Sequence, residues 1–252
     1  MIREAAHEKH VGWEENFRWR AGEITRLEGF SDAVFAFAVT LLVVSLEVPH
    51  TFDELLDAMR GFAAFGISFA MLAQVWFYHY RYFRRYGLQD TVTVILNALL
   101  LFVVLFYVYP LKFVFTMLVG QLTGGATVGG HTAIEAMIGP GDVPALMSIY
   151  GSGFAAVFGI FALLYWRAWA RREQMQLNPT EELVTRQSLF ESAGVAAIGL
   201  ASVLLALTLP VKMAGVSGYA YFLIPVVASL GGTYYGRKIR EANRSSRGQS
   251  AQ

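Results

Sequence analysis

Long apolar runs separated by short polar stretches dominate the chain. Six of them stand out, over roughly 24–46, 56–80, 91–118, 145–166, 187–209 and 213–235. About 20 apolar residues in a helix cross the hydrocarbon core of a bilayer, so each run is long enough for one span. The prolines mostly mark boundaries: Pro49 follows the first run, Pro144 opens the fourth and Pro210 separates the fifth from the sixth. Pro110 and Pro225 fall inside runs, where a kink is tolerated if neighbours satisfy the freed carbonyl. Transmembrane β-strands alternate over about ten residues, and these runs do not. The pattern predicts an all-α integral membrane protein with six transmembrane helices in a single bundle.

Charge gives the bundle a direction. Seventeen of the twenty lysines and arginines fall in the N-terminal segment, the second and fourth connections, and the tail; Arg60, Lys112 and Lys212 fall on the other side. The positive-inside rule therefore predicts cytoplasmic N- and C-termini. The third connection, about 119–143, is long, rich in glycine and external by this reading. Its Thr127-Val128-Gly129-Gly130 lacks the longer signature of a carbonyl-lined ion filter. His131 and Glu135, one helical turn apart, lack a third metal ligand.

Composition narrows the function classes. The 252 residues are 55% hydrophobic and only 15% charged, where a soluble domain carries about a quarter charged residues. Mean hydropathy is +0.45 and formal net charge +1, so a nucleic-acid binder with a basic face is excluded. There are no cysteines, which removes thiolate metal sites and cysteine nucleophiles. No clustered ligands or nucleophile–base pair suggests an enzyme. The first 22 residues mix charges with Trp13 and Trp19 and contain no apolar run like that of a signal peptide, so they read as an interfacial segment.

The first run carries the chemistry. Arg26-Leu27-Glu28-Gly29-Phe30-Ser31-Asp32 leads directly into Ala33-Val34-Phe35-Ala36-Phe37-Ala38-Val39-Thr40. A carboxylate inside an apolar helix costs about 2.5–3.5 kcal/mol on insertion scales, so Asp32 requires a partner or water. It has two open roles, a structural network between helices or contact with permeating ions or protons. At about 1.5 Å per residue, Ser31, Asp32, Trp76, His79 and Asn97 share one layer in the cytoplasmic half. Histidine at that depth is either a structural group or one titrating near neutral pH.

At 100° per residue the first helix has two faces. Asp32, Phe35, Val39 and Leu42 fall on one, which predicts that Asp32 is buried against the second and third spans. Arg26, Phe30, Ala33, Phe37, Thr40 and Val44 fall on the other, with Glu47 beyond. That second face suits either ordinary helix packing or a pore lined by copies of itself, with an acidic ring at the outer mouth.

The motif Arg26-x-x-x-Phe30-Ser31-Asp32 with its helical continuation resembles the signature of the prokaryotic, single-motif branch of the transmembrane protein 175 potassium channels. The resemblance extends to Trp76-x-x-His79, Asn97 with Leu99-Leu100-Leu101, and Pro110, covering roughly residues 24–112. It implies a homotetrameric, leak-type potassium channel in the cell inner membrane. Its first helices would line the pore and sieve ions with a hydrophobic constriction at Phe37, Thr40 and Val44. Glu47 would lie at the outer mouth, and Arg26, Phe30, Ser31, Asp32, Trp76, His79 and Asn97 would form the supporting network. Potassium would be the permeant ion, with no cofactor. Family members usually place isoleucine or leucine where this chain has Phe37, which leaves selectivity open. Arg186-Gln187-Ser188-Leu189-Phe190-Glu191-Ser192 echoes the motif with its polar pair reversed, and Glu191 reads as a locally paired group near the cytoplasmic surface.

Residues 1–23 thus form a cytoplasmic segment, 24–236 a six-helix channel domain, and 237–252 a basic, disordered cytoplasmic tail whose charges suit anionic lipid. The expected partners are three further copies, the bilayer and monovalent cations. The alternative is a proton- or cation-coupled secondary transporter built around Asp32 and His79, although no inverted repeat supports it.

Overall fold

The computed structural model describes residues 16–44, 50–122, 138–139 and 141–249. Its helices are α1 (Arg26–Val44), α2 (Phe52–Tyr86), α3 (Thr91–Leu122), α4 (Val143–Ala170), α5 (Pro179–Thr208), a 3₁₀ helix (Val211–Leu223) and α6 (Ile224–Gln249). Five segments are long and apolar enough to cross a membrane, the last of them joining the 3₁₀ helix to α6. α1 is not among these five; it is shorter at 19 residues and carries Arg26, Glu28 and Asp32. At about 1.5 Å per residue it extends about 28 Å, close to the thickness of a hydrocarbon core.

α1 packs on α2 and α3, α3 on α4, and α4 on α5, with α5 also holding the 3₁₀ helix and α6. One core joins Phe35, Ala38 and Leu42 of α1 to Leu72 and Phe83 of α2, Leu100 and Val104 of α3, and Phe161 and Leu164 of α4. A second, more aromatic cluster centres on Tyr107, Tyr150 and Phe154. In lipid, helices gain little from burying apolar surface and associate through close packing instead. Small residues permit this here. A Cβ on Gly199 of α5 would come within 3.1 Å of the Ala155 backbone, and one on Gly153 would collide with the Tyr107 ring.

Three boundaries differ from the hydropathy reading, each for a local reason. Arg81, Arg84 and Arg85 lie on the last turns of α2 rather than in a connection, and Arg85 is buried, donating to Ser188 Oγ at 3.2 Å. Pro225 does not kink a continuous helix; it stands in the first turn of α6, where a missing N–H costs nothing. Before it run thirteen 3₁₀ residues, long for this conformation. Ala214 and Ser217 are buried one three-residue turn apart, and Ser202 of α5 donates to the Ser217 carbonyl at 3.1 Å. The basic tail read as disordered continues the helix to Gln249, because nothing in Arg237–Ala242 interrupts helical propensity. The Thr127–Gly130 stretch, His131 and Glu135 lie outside the described residues.

The basic end of the bundle is closed by the segment before α1. Glu181 lies in the first turn of α5, within a capping box with Asn178. Its carboxylate accepts from the Arg18 backbone N–H at 2.9 Å and from Arg20 Nη2 at 2.6 Å. Arg20 Nε donates to the Met175 carbonyl, and the Ala21 N–H to the Arg84 carbonyl at 3.3 Å. Phe17 is buried edge-on to Tyr86, with the Arg85 guanidinium 5.2 Å from its ring. Asn243 of α6 joins the same layer, accepting from Thr180 and donating to Asn16.

Candidate functional site

The site begins at the first turn of α1. The Thr25 hydroxyl accepts from the Glu28 N–H at 3.2 Å, and the Glu28 carboxylate accepts from the Thr25 N–H at 2.9 Å. This is a capping box, which satisfies two backbone donors that a helix start leaves bare. It also holds Glu28 in a buried position. The Thr-x-x-Glu spacing carries this signal in the sequence, and the motif reading above passes over it.

From Glu28 the row Ser31, Phe35, Ala38 and Leu42 is buried along the whole helix. Ser31 donates to the Leu27 carbonyl at 2.8 Å, which leaves its oxygen as acceptor for Asn97 Nδ2 at 2.9 Å. The remaining amide oxygen of Asn97 then faces His79 Nε2 at 2.8 Å, so Nε2 carries the proton. The result is one directed chain, His79 to Asn97 to Ser31 to Leu27, joining α2, α3 and α1. The other ring nitrogen, His79 Nδ1, is buried with no hydrogen-bond partner among the described residues. The imidazole sits between the rings of Phe35 (5.5 Å) and Phe83 (4.6 Å).

Asp32 departs from the expectation of burial. The inward row runs through Ser31, and one residue further turns the side chain by about 100°, to the rim of the helix. There it is exposed in the protomer and accepts from Trp76 Nε1 at 2.8 Å. Trp76 stacks on Tyr80 at 5.7 Å, Tyr80 meets Trp19 edge-on at 6.2 Å, and the Arg84 guanidinium lies 5.8 Å from the Tyr80 ring. An aromatic column therefore connects Asp32 to the segment that closes the basic end.

The opposite side of α1 is bare. Arg26, Ala33 and Thr40 are exposed, as are Phe30 at 61% and Phe37 at 56%. The Thr40 hydroxyl donates to the Ala36 carbonyl at 2.9 Å, leaving its oxygen lone pairs outward. The Val44 side chain and Glu47 lie outside the described residues. In the motif echo, Glu191 accepts from Gln187 at 2.8 Å, a local pair. Among the described residues no three metal-ligating side chains come together.

Comparison with known proteins joins this geometry to a family. The family profile described as "Endosomal/lysosomal potassium channel TMEM175" matches residues 26–107, the stretch that holds the directed chain and the bare face. A potassium channel of Marivirga tractuosa is 39% identical over 227 residues, covering 88% of this chain and 92% of that protein. A solved structure of the potassium channel MtTMEM175, in complex with a Nanobody-MBP fusion protein, is 36% identical with a TM-score of 0.79, covering 90% of this chain and all of that one. The lysosomal potassium-selective channel TMEM175 homologue from Chamaesiphon minutus is 25% identical with a TM-score of 0.51, covering 82% and 96%. The chain belongs to the TMEM175 potassium channel family.

Proposed function

We propose that four copies of this chain assemble around an axis in the cell inner membrane and conduct potassium passively, with the α1 helices lining the pore. One observation carries this reading. α1 is fully packed along one row, while its other side presents a continuous apolar face through Phe30, Ala33 and Phe37 to Thr40 that no described residue of the protomer covers at Phe37. Copies of that face brought together give Phe37 as a hydrophobic constriction, at which a cation must shed water. Thr40 adds a ring of oxygen atoms one turn above it, Val44 a second apolar ring, and Glu47 an acidic outer mouth that concentrates cations.

The network behind α1 suits a supporting role. His79, Asn97 and Ser31 bond to one another on the packed side, and Asp32 is held by Trp76. Arg26 and Phe30 lie on the exposed side near the cytoplasmic end and would meet neighbouring copies. The gathering of Arg18, Arg20, Arg84, Arg85, Arg171 and Arg172 at one end of the bundle supports cytoplasmic termini.

The test is vesicle flux with purified protein. The wild type should dissipate a potassium gradient without a coupled substrate, and cross-linking should give four copies. Shortening Phe37 to Ala should raise conductance or lower the preference for potassium over sodium. Unchanged permeation would remove Phe37 from the constriction. Saturable, substrate-dependent flux by a monomer or dimer would favour the coupled transporter.

A further inference from the structure

Lys112 stands apart in both sequence and structure. It is one of three basic residues that the charge pattern puts on the outer side, and it lies within the apolar helix α3. Its Nζ reaches across to the carbonyl of Leu42 on α1 at 3.4 Å. The two helices start from a common level, fixed by the bond between Asn97 and Ser31. From there α3 climbs about 22 Å to Lys112, while α1 climbs about 16 Å to Leu42, at 1.5 Å per residue. The lysine therefore bends back about 6 Å towards the membrane interior, along the direction in which helical Cβ atoms point. A lysine near the end of a span ordinarily extends outward to water. This one instead lays its ammonium on the last described turns of α1.

That position has an electrostatic consequence. The C-terminal end of a helix carries about half a negative charge. Four α1 helices around a pore would direct the carbonyls of their last described turns towards the outer mouth, attracting cations. An ammonium on each end offsets that attraction. We infer that Lys112 is a fixed positive charge seated on the last described turn of the pore helix, and that it restrains cations arriving from the outer side. This rests on α1 lining the pore, as proposed above; Lys112 itself acts from behind that helix, as a positioning and tuning residue.

The experiment measures potassium current through wild type, Lys112→Met and Lys112→Arg in planar bilayers at low and high salt. Charge acts over about 10 Å at 0.1 M salt and about 3 Å at 1 M. Lys112→Met should carry about threefold more inward current than wild type in tens of millimolar potassium, a gap that should close near 1 M. Lys112→Arg should follow the wild type, and the potassium-over-sodium ratio should stay unchanged in both. Because the chain has no cysteine, Lys112→Cys supplies a second test within one folded protein. Attaching an aminoethyl group through a methanethiosulfonate reagent should bring its current back to wild type, and a neutral methylthio group should not. Current equal to wild type in Lys112→Met, an increase of the same size at both salt concentrations, or equal effects of the charged and neutral reagents would overturn the role of Lys112. A wild type that passes no potassium would instead remove the pore assignment on which it rests.

Discussion

Replacing Asn97 with leucine tests whether the buried chain holds α1, α2 and α3 together. Leucine repeats the branched heavy-atom skeleton of asparagine, so the change removes hydrogen bonds and opens no cavity. Two bonds go, to His79 and to Ser31. Interhelical hydrogen bonds in membranes average about 0.6 kcal/mol and reach about 1.7, so this loss amounts to about 1–3 kcal/mol. A further cost falls on His79, which is buried and has no partner on Nδ1. Whichever tautomer it adopts, its N–H then lacks an acceptor, a penalty of about 1–3 kcal/mol. The total is about 2–6 kcal/mol. Trp76→Phe removes the bond to Asp32 at an exposed rim, where water can replace the indole, at about 0.5–1.5 kcal/mol. Reversible unfolding of the purified protein in mixed micelles measures both. The double change His79→Phe with Asn97→Leu should cost less than the sum of its parts, because no polar group is left stranded. An Asn97→Leu cost below that of Trp76→Phe, or strict additivity in the double variant, would refute the directed chain as the stronger fastening.

Two further outcomes concern the basic end. Glu181→Gln should destabilise the protein by about 2–4 kcal/mol, since it leaves the Arg20 guanidinium and the Arg18 N–H without a full carboxylate, and it should speed proteolysis within residues 16–25; unfolding and timed digestion check both. Asp90, just before α3, binds Arg167 Nη2 at 2.6 Å and the Thr93 hydroxyl at 2.7 Å. Burial alone would raise its carboxyl, but those bonds outweigh burial and hold it below the usual carboxylate range. A depressed folded-state value means that the stabilisation is complete above the unfolded value of about 3.9 and is lost as pH falls through the lower, folded one. The stability gap between wild type and Asp90→Asn should therefore stay constant from pH 7 to about 5 and narrow below about pH 4.

How far the sequence reveals this molecule depends on which physical signal each feature uses. Helical class and the number of long helices follow from apolar run length, because a bilayer imposes a nearly fixed thickness; six α-helices form, and five segments are long and apolar enough to cross. The layer of Ser31, His79 and Asn97 follows from helical rise alone, since each residue lies a countable distance from a helix end. Asp32 shows where the same arithmetic stops. A helical wheel separates Asp32 from Phe37 but does not say which flank of Asp32 is the core. That is set by the neighbouring Ser31, whose small hydroxyl can bond its own Leu27 carbonyl and still accept from Asn97. A carboxylate in that slot would face the Asn97 amide with its charge buried, so the acid moves to the rim and takes the Trp76 indole. The seating of Lys112 is less legible still, because hydropathy scores a lysine by its charge and not by the direction in which it leans. Only the common level set by Ser31 and Asn97 turns two stretches of sequence into a measurable offset and shows that the amine bends inward. The serine and the acid are adjacent in the motif because they divide the work: one fastens α1 to α3 through Asn97, and the other ties its exposed rim to Trp76 of α2.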